Sequence, residues 1–279
     1  MTDLEHYAGL RRLHATALPV FASPNLAEAA EEFAARYERA FRFLSATLNI
    51  TPEVGLAVLS AADWPRYAAL PIYGVTHYDY PRRMVVTAAE SGTFWRPAID
   101  LVQAHAPRFL DDLRAVYGQP DGSIDPAAHI ALWITHDLGH AFHLHAEYWF
   151  PRRWLMEYFA DLCSYTYVAV AEPEQLPALE AFPRALHAID ARQLPYHTWH
   201  DFETLYGDDN FSLENYLWYH GTLFETAKRA YQAAGVQALE RMWRGCVLAN
   251  VREISDDQLA TLLQQLQPEL AQVLRAWPE

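Results

Sequence analysis

Four histidines and an aspartate lie within ten residues of the segment WITHDLGHAFHLHAEYW, which runs from Trp133 to Trp149. Two of the histidines, His136 and His140, are four residues apart, and Asp137 lies between them. Side chains four residues apart on an α-helix lie on the same face, so both imidazoles can reach one ion at about 2 Å. This spacing predicts a metal site on His136 and His140.

The residues before this motif predict the helix that carries it. Asp125 is a favoured N-cap residue and Pro126 is favoured at the first helical position, so we predict a helix from Pro126 to His145. His129 and His143 fall near the face of the two ligands. His145 is turned about halfway round the helix from it.

A third ligand is expected on the next predicted helix, in the segment WLMEYFADLCSY. Glu157 and Asp161 are four residues apart there, and Glu157 follows His140 by 17 residues, which suffices for a turn and a returning helix. Two histidines and one glutamate leave a fourth position of a tetrahedral zinc ion for water, which is the pattern of catalytic zinc. Asp161 would then accept the second ring N–H of a ligating histidine. We therefore predict one zinc ion per chain.

The motif HDLGH followed by WLMEYFAD resembles the gluzincin branch of the zincin metallopeptidases. Proteins of that family carry His-Glu-x-x-His on one helix and a ligand glutamate on the next, often followed four residues later by aspartate. The later segment NYLWYHGTLFETAKRAYQAAGVQALERMW is similar to their helical C-terminal part. The resemblance extends loosely over residues 13–277.

The resemblance implies a zinc-dependent hydrolase that cleaves a peptide amide with zinc-bound water. Zinc would be held by His136, His140 and Glu157. A peptide or protein substrate would lie along an edge strand near residues 74–89, and Tyr219 or His220 would donate a hydrogen bond to the transition state.

One residue departs from the family pattern. Asp137 occupies the place of the glutamate general base. Aspartate has the same carboxylate but is one methylene shorter, so it can miss the attacking water by about 1 Å, which is enough to cost roughly a hundredfold in rate. A zincin-like scaffold that binds a metal or a partner without efficient catalysis is therefore a second hypothesis.

HDLGH also resembles the His-Asp doublet of HD-domain phosphohydrolases, which is a third hypothesis. There His136 and Asp137 would both be ligands. An upstream histidine, His105 or His129, and a distant aspartate, Asp190 or Asp201, would complete the set. HD domains are helical, whereas the first 90 residues of this chain read as a sheet with one helix.

The remaining patterns predict an α+β fold with a small mixed N-terminal sheet, a backing helix and a mostly helical C-terminal lobe, and the resemblance implies that this fold is zincin-like. We expect an N-terminal sublobe over residues 1–125 and a metal-site and helical sublobe over 126–279, in one continuous unit. The predicted strands are 13–22, 54–61 and two within 73–89. The predicted helices are 26–48, 97–117, 126–145, 154–171, 213–234, 236–247 and 255–277. Asn25 is the predicted cap of the first helix, and Pro268 is expected to break the last. Residues 172–210 are expected to be irregular.

Composition limits the class of protein and its partners. The 279 residues are 52% hydrophobic, which suffices for a sizeable core. A net charge of −14, with no basic cluster larger than an arginine pair, argues against a nucleic-acid partner. The charged start and the lack of a run of about 18 apolar residues predict a cytoplasmic protein without a membrane segment. Cys163 and Cys246 are expected to be buried thiols.

Overall fold

The fold described here comes from a computed structural model of the protein, which describes residues 5–14, 16–92, 94–206 and 212–277. The N-terminal region forms a mixed sheet of five strands, which confirms the predicted α+β class. The strands are β1 Arg11–Leu13, β2 Val20–Ala22, β3 Gly55–Leu59, β4 His77–Asp79 and β5 Met84–Ala88. Their order across the sheet is β1-β2-β3-β5-β4, so β4 is an edge strand.

The pairing of the strands follows from their connections. β3 lies parallel to both β2 and β5, while the hairpins β1-β2 and β4-β5 are antiparallel. The expected single strand 13–22 is wrong, because the segment around Leu18 turns the chain and pairs β1 with β2. β2, β3 and β5 are buried along their whole length, which explains their unbroken apolar sequences.

One long helix, α1 (Ala27–Leu48), connects β2 to β3 and covers one face of the sheet. Its buried residues recur at helical spacing, and the Tyr37 hydroxyl donates to the Gly55 carbonyl at 3.1 Å. Asn25 does not cap α1, because a 3-10 turn at Pro24–Leu26 precedes the helix and no side chain caps its start.

Helices make up most of the rest of the chain. They are α2 Trp64–Tyr67, α3 Trp95–His105, α4 Leu110–Tyr117, α5 Ala127–His145, α6 Arg153–Ala171, α7 Leu176–His187, α8 Trp199–Leu205, α9 Leu213–Ala234, α10 Val236–Met242, α11 Asp256–Leu266 and α12 Pro268–Ala276. The predicted helix 97–117 is divided into α3 and α4, and residues 243–248 form a π-helical turn after α10. The expected irregular segment 172–210 instead contains α7 and α8, whose buried leucine and phenylalanine side chains stabilise helical structure despite Pro183.

α5 and α6 lie side by side in the centre of the molecule, and α5 also contacts the edge strand β4. Gly139 makes this packing close, because a methyl group there would lie 3.0 Å from the Ala160 Cα and 3.2 Å from the Cys163 Cβ. Both helices are buried on nearly all sides. Cys163 and Cys246 are free and buried, as predicted.

Among the described residues, none of the helices is both long enough and apolar enough to cross a membrane.

Candidate metal centre

The nitrogen and oxygen atoms of three buried side chains converge between α5 and α6. His136 Nε2 lies 3.2 Å from His140 Nε2 and 3.2 Å from Glu157 Oε2. His140 Nε2 lies 3.4 Å from the same glutamate oxygen. The three predicted ligands thus present their ligand atoms at the corners of a nearly equilateral triangle, and this set could hold a metal ion.

The size of this triangle matches tetrahedral zinc coordination. Bonds of 2.0 to 2.1 Å at tetrahedral angles place neighbouring ligand atoms about 3.3 to 3.4 Å apart. A cation above the centre of the triangle therefore reaches all three atoms at bonding distance with little movement of the side chains. A tetrahedral ion at this point would have a fourth position that none of the three side chains fills.

Asp161 determines which nitrogen of His136 carries the proton. His136 Nδ1 lies 2.8 Å from Asp161 Oδ1, and a carboxylate accepts hydrogen bonds only. Nδ1 therefore donates to Asp161, and Nε2 is the ring nitrogen that faces the triangle. This is the position that the sequence predicted for Asp161, one helical turn beyond Glu157.

His143 has the corresponding place behind His140. His143 Nδ1 donates to the Tyr148 carbonyl at 2.8 Å, and its Nε2 lies 3.2 Å from His140 Nδ1. Burial lowers the pKa of His143 to about 3, with His140 as the second cause, so the ring is neutral and its Nε2 accepts. His145, at the end of α5, is exposed.

The charges of the cluster favour a cation at the triangle. Burial opposes ionisation of Glu157, but His140 and His136 outweigh it and hold its pKa well below the ordinary value. Burial likewise opposes the charged form of His136, yet Asp161 and Glu157 hold its pKa well above the ordinary value. Burial raises the pKa of Asp161 to about 6, so it is ionised at neutral pH. Two buried carboxylates, Asp161 and Glu157, therefore contact the two histidines at the triangle, and their negative charge favours a cation there.

Asp137 lies beside this triangle without belonging to it. It is buried, and its Oδ2 atom has no hydrogen-bond partner. Burial raises its pKa, opposed by His136, His140 and His77 of the edge strand. A second set of side chains that could hold an ion, His136, Asp161 and His220, also excludes Asp137.

The residues that an HD-type site requires are not brought together. The two upstream histidines are engaged elsewhere: His105 Nδ1 lies 2.7 Å from the Gln193 side chain, and His129 Nδ1 donates to the Ala178 carbonyl. The two distant aspartates serve local structure. Asp190 pairs with Arg192, and Asp201 completes the capping box of α8 with Thr198.

Of the two predicted transition-state donors, only His220 lies near the ligands. Its ring centroid is 5.9 Å from that of His136, and its Nδ1 atom is buried without a hydrogen-bond partner. The Tyr219 side chain projects from α9 about 100° away from that of His220, because the two residues are consecutive in the helix. Its hydroxyl donates to the Thr198 carbonyl at 2.5 Å.

Two tyrosines that the sequence analysis missed lie beside His220. The Tyr206 hydroxyl is 3.4 Å from His220 Nε2, and the Tyr216 ring centroid is 4.3 Å from that of His220. Burial and then the charge of Glu157 raise the pKa of both phenols, so both stay protonated and can donate. The i, i+4 spacing of Tyr216 and His220 on α9 is a signal that could have identified Tyr216.

The edge strand β4 passes close to α5, and exposed apolar side chains lie at both of its ends. Most of the exposed large hydrophobic residues of the described chain lie in or beside this region: Leu70, Ile72, Tyr80 and Trp149. The Tyr80 and Trp149 rings contact each other edge to face, with centroids 5.9 Å apart. His77 accepts from the backbone N–H groups of Ala69 and Leu70, which attaches the preceding loop to the strand.

Comparison with known proteins does not identify a family for this chain. The chain matches neither a protein-family model nor a curated protein sequence.

Proposed function

We propose that the protein binds one zinc ion through His136, His140 and Glu157 and hydrolyses a peptide amide. The observation that carries this proposal is the triangle of three ligand atoms with edges of 3.2, 3.2 and 3.4 Å. Two imidazoles and one carboxylate suit zinc better than calcium or magnesium, which prefer oxygen ligands. Three protein ligands are typical of catalytic zinc, whereas structural zinc has four.

The residues present fit the ion, because the three ligand atoms converge and the buried Oδ2 atom of Asp137 and Nδ1 atom of His220 have no hydrogen-bond partner. When bound, zinc acidifies a water molecule and polarises a carbonyl group. Asp137 is the proposed general base, and it accepts the proton that the attacking water loses. Burial raises its pKa, which makes the carboxylate a stronger base than an exposed aspartate.

His220, Tyr206 and Tyr216 are the proposed donors to the oxyanion that forms in the transition state. Protonated phenols beside a buried carboxylate offer preorganised hydrogen bonds where negative charge develops. Tyr206 and Tyr216 replace Tyr219 in this role, since the Tyr219 hydroxyl bonds to Thr198.

The proposed substrate is an extended peptide that lies along β4. An edge strand presents unpaired backbone groups, which an extended chain can bind as an additional strand. The apolar side chains at both ends of β4 would contact bulky apolar residues of the substrate. The α+β fold, the edge strand beside the metal helix and the returning helix with Glu157 all support the resemblance to gluzincins.

A non-catalytic metal-binding scaffold is the alternative, because Asp137 is shorter than the glutamate of the related motif. A peptide library, incubated with zinc-loaded wild type and with Asp137→Asn, separates the two hypotheses. We expect cleavage by wild type, a loss of at least about a hundredfold in the variant, and equal zinc content in both. Equal cleavage by both proteins would show that Asp137 is not the base. Absence of cleavage by both would favour the scaffold.

A further inference from the structure

His143 is completely buried on α5 and lies on the side of His140 that faces away from the metal triangle. It is not one of the proposed ligands or donors. Its ring packs edge-on against Phe150 and Phe159, with centroids 5.4 and 6.1 Å away. Both of its nitrogens are engaged, one with the Tyr148 carbonyl and one with His140.

We propose that His143 is a positioning residue that holds His140 in the tautomer with a free Nε2 lone pair. The proposal rests on the metal site proposed above, but the tautomer itself is a property of the protein without metal. A neutral histidine thus does for His140 what the Asp161 carboxylate does for His136.

The direction of the hydrogen bonds follows from one fixed acceptor. The Tyr148 carbonyl can only accept, so His143 Nδ1 carries the proton and donates to it at 2.8 Å. The ring is completely buried and packs against Phe150 and Phe159, which disfavours its charged form, so Nε2 has only a lone pair. His140 Nδ1, 3.2 Å away, must donate to it, because two lone pairs at that distance would repel each other. In the neutral form of His140, Nε2 is then the unprotonated nitrogen, and it faces the triangle.

The Tyr148 carbonyl is itself held in place from two directions. The Tyr148 backbone N–H donates to the His143 carbonyl at 2.9 Å, and its hydroxyl donates to the Val251 carbonyl at 2.6 Å. The second bond connects the loop after α5 to the segment before α11. The orientation of His140 therefore depends on contacts with the C-terminal helices as well as on α5.

The two metal histidines consequently have unequal partners. A carboxylate makes the imidazole that donates to it more basic than a neutral partner does, so His136 should be the more strongly donating ligand. The neutral partner leaves the charge of the buried cluster unchanged. A further carboxylate there would add to those of Asp161 and Glu157.

The test combines His143→Phe, which keeps a ring but removes the acceptor, with His143→Gln, whose side-chain oxygen can accept in place of Nε2. His129→Phe is the matched control, because His129 is another buried histidine of α5 whose Nδ1 donates to a backbone carbonyl. Zinc dissociation constants are measured by chelator competition, and urea midpoints report stability. We expect zinc binding about 10 to 100-fold weaker in His143→Phe, near wild type in His143→Gln and near wild type in His129→Phe.

The second measurement uses metal-free wild type labelled with ¹⁵N in histidine. We expect His140 to show a protonated Nδ1 and an unprotonated Nε2. The opposite tautomer or a rapid mixture would overturn the proposal, as would equal zinc affinity in His143→Phe and His129→Phe at similar stability. The NMR result stands whether or not the protein binds zinc, so failure of the proposed function and failure of this inference remain distinguishable. It also decides the question if His143→Phe does not fold.

Discussion

His129 and His136 lie two helical turns apart on α5, yet their pKa values move in opposite directions. Burial lowers the pKa of His129 to about 4, and the hydrogen bonds to backbone carbonyls that oppose it are too weak to offset the burial. Burial also disfavours the charged form of His136, but the carboxylates of Asp161 and Glu157 outweigh it and raise the pKa. The difference shows that neighbouring carboxylates, and not burial, distinguish the candidate ligand His136 from the core histidine His129 in this helix.

The low pKa of His129 predicts a specific acid sensitivity. In the unfolded chain this histidine protonates near its ordinary pKa of about 6.5, whereas in the folded protein it protonates only near 4. The unfolded state therefore binds more protons between these values, and stability is lost as pH falls from about 6.5 to 4. The loss is about 3 kcal/mol for this residue.

Urea unfolding of wild type and His129→Phe over this pH range measures the effect. The free energy of unfolding of the variant should fall less steeply as the pH is lowered. The two slopes should differ by up to the contribution of about one bound proton. Parallel curves for the two proteins would contradict the assignment of a depressed pKa to His129.

The candidate ligands could be predicted from sequence because each belongs to a short-range pattern. His136 and His140 share a helical face by their spacing, and Glu157 and Asp161 repeat that spacing on the next helix. Tyr206 could not be predicted, because it lies beyond the end of α8 and its place beside His220 depends on tertiary packing. Tyr219 and His220 were alternatives one residue apart on α9, which turns their side chains about 100° from each other, and only His220 lies near the candidate ligands.

At the scale of the elements, the site depends on how closely α5 approaches α6. Gly139 lies between the two proposed histidine ligands and faces the Ala160 backbone. The absence of a side chain here permits an approach that brings Glu157 to the triangle. Glycine inside a helix costs about 1 kcal/mol of stability relative to alanine. The close packing of α5 against α6 that Gly139 permits offsets this cost.

Gly139→Ala should separate α5 from α6 by a few tenths of an ångström, since the new methyl group would lie 3.0 Å from the Ala160 Cα. We expect zinc affinity to fall about tenfold, because Glu157 moves away from the two histidines. Chelator competition measures this change. Ala141→Gly, a change on the same buried helix, is the control that alters helix propensity without adding volume. Unchanged zinc affinity in Gly139→Ala would show that the helix spacing does not set the ligand geometry.

The elements themselves differ in how well the sequence predicts them. α5, α6 and α9 were predicted within one residue at each end, because long apolar periodicity and clear boundary residues agree. The break between α3 and α4 was missed, although Pro107 lies at the start of the intervening 3-10 turn. α7 was missed because two prolines interrupt its sequence, and its buried side chains favour the helix only in the tertiary structure.

At the scale of the whole molecule, the sheet and the helices meet at α5. The edge strand β4 lies on one side of this helix, and α6 lies on another. The order of strands and helices was predictable in outline, including the hairpin that contains the edge strand. The pairing of β1 with β2 and the mixed strand order were not, since three-residue strands carry little periodic signal.

This arrangement makes a prediction about substrate preference. Trp149→Ala removes half of the exposed aromatic pair with Tyr80 beside β4. The KM for peptides with bulky apolar residues should rise about tenfold with little change in kcat, because lost apolar burial weakens binding without touching the reacting groups. Val170→Ala, which shortens an exposed apolar side chain at the far end of α6, should leave KM unchanged. An equal KM for wild type and Trp149→Ala would exclude this surface from substrate binding.

The metal content of the protein, purified without a metal-affinity tag, tests the central claim most directly. Elemental analysis should find about one zinc ion per chain in wild type and in His129→Phe, because His129 is outside the ligand set. His140→Ala and Glu157→Gln should each lose most of the zinc while remaining folded by circular dichroism. Wild type without a transition metal, or zinc content unchanged in both ligand variants, would contradict a metal centre on His136, His140 and Glu157.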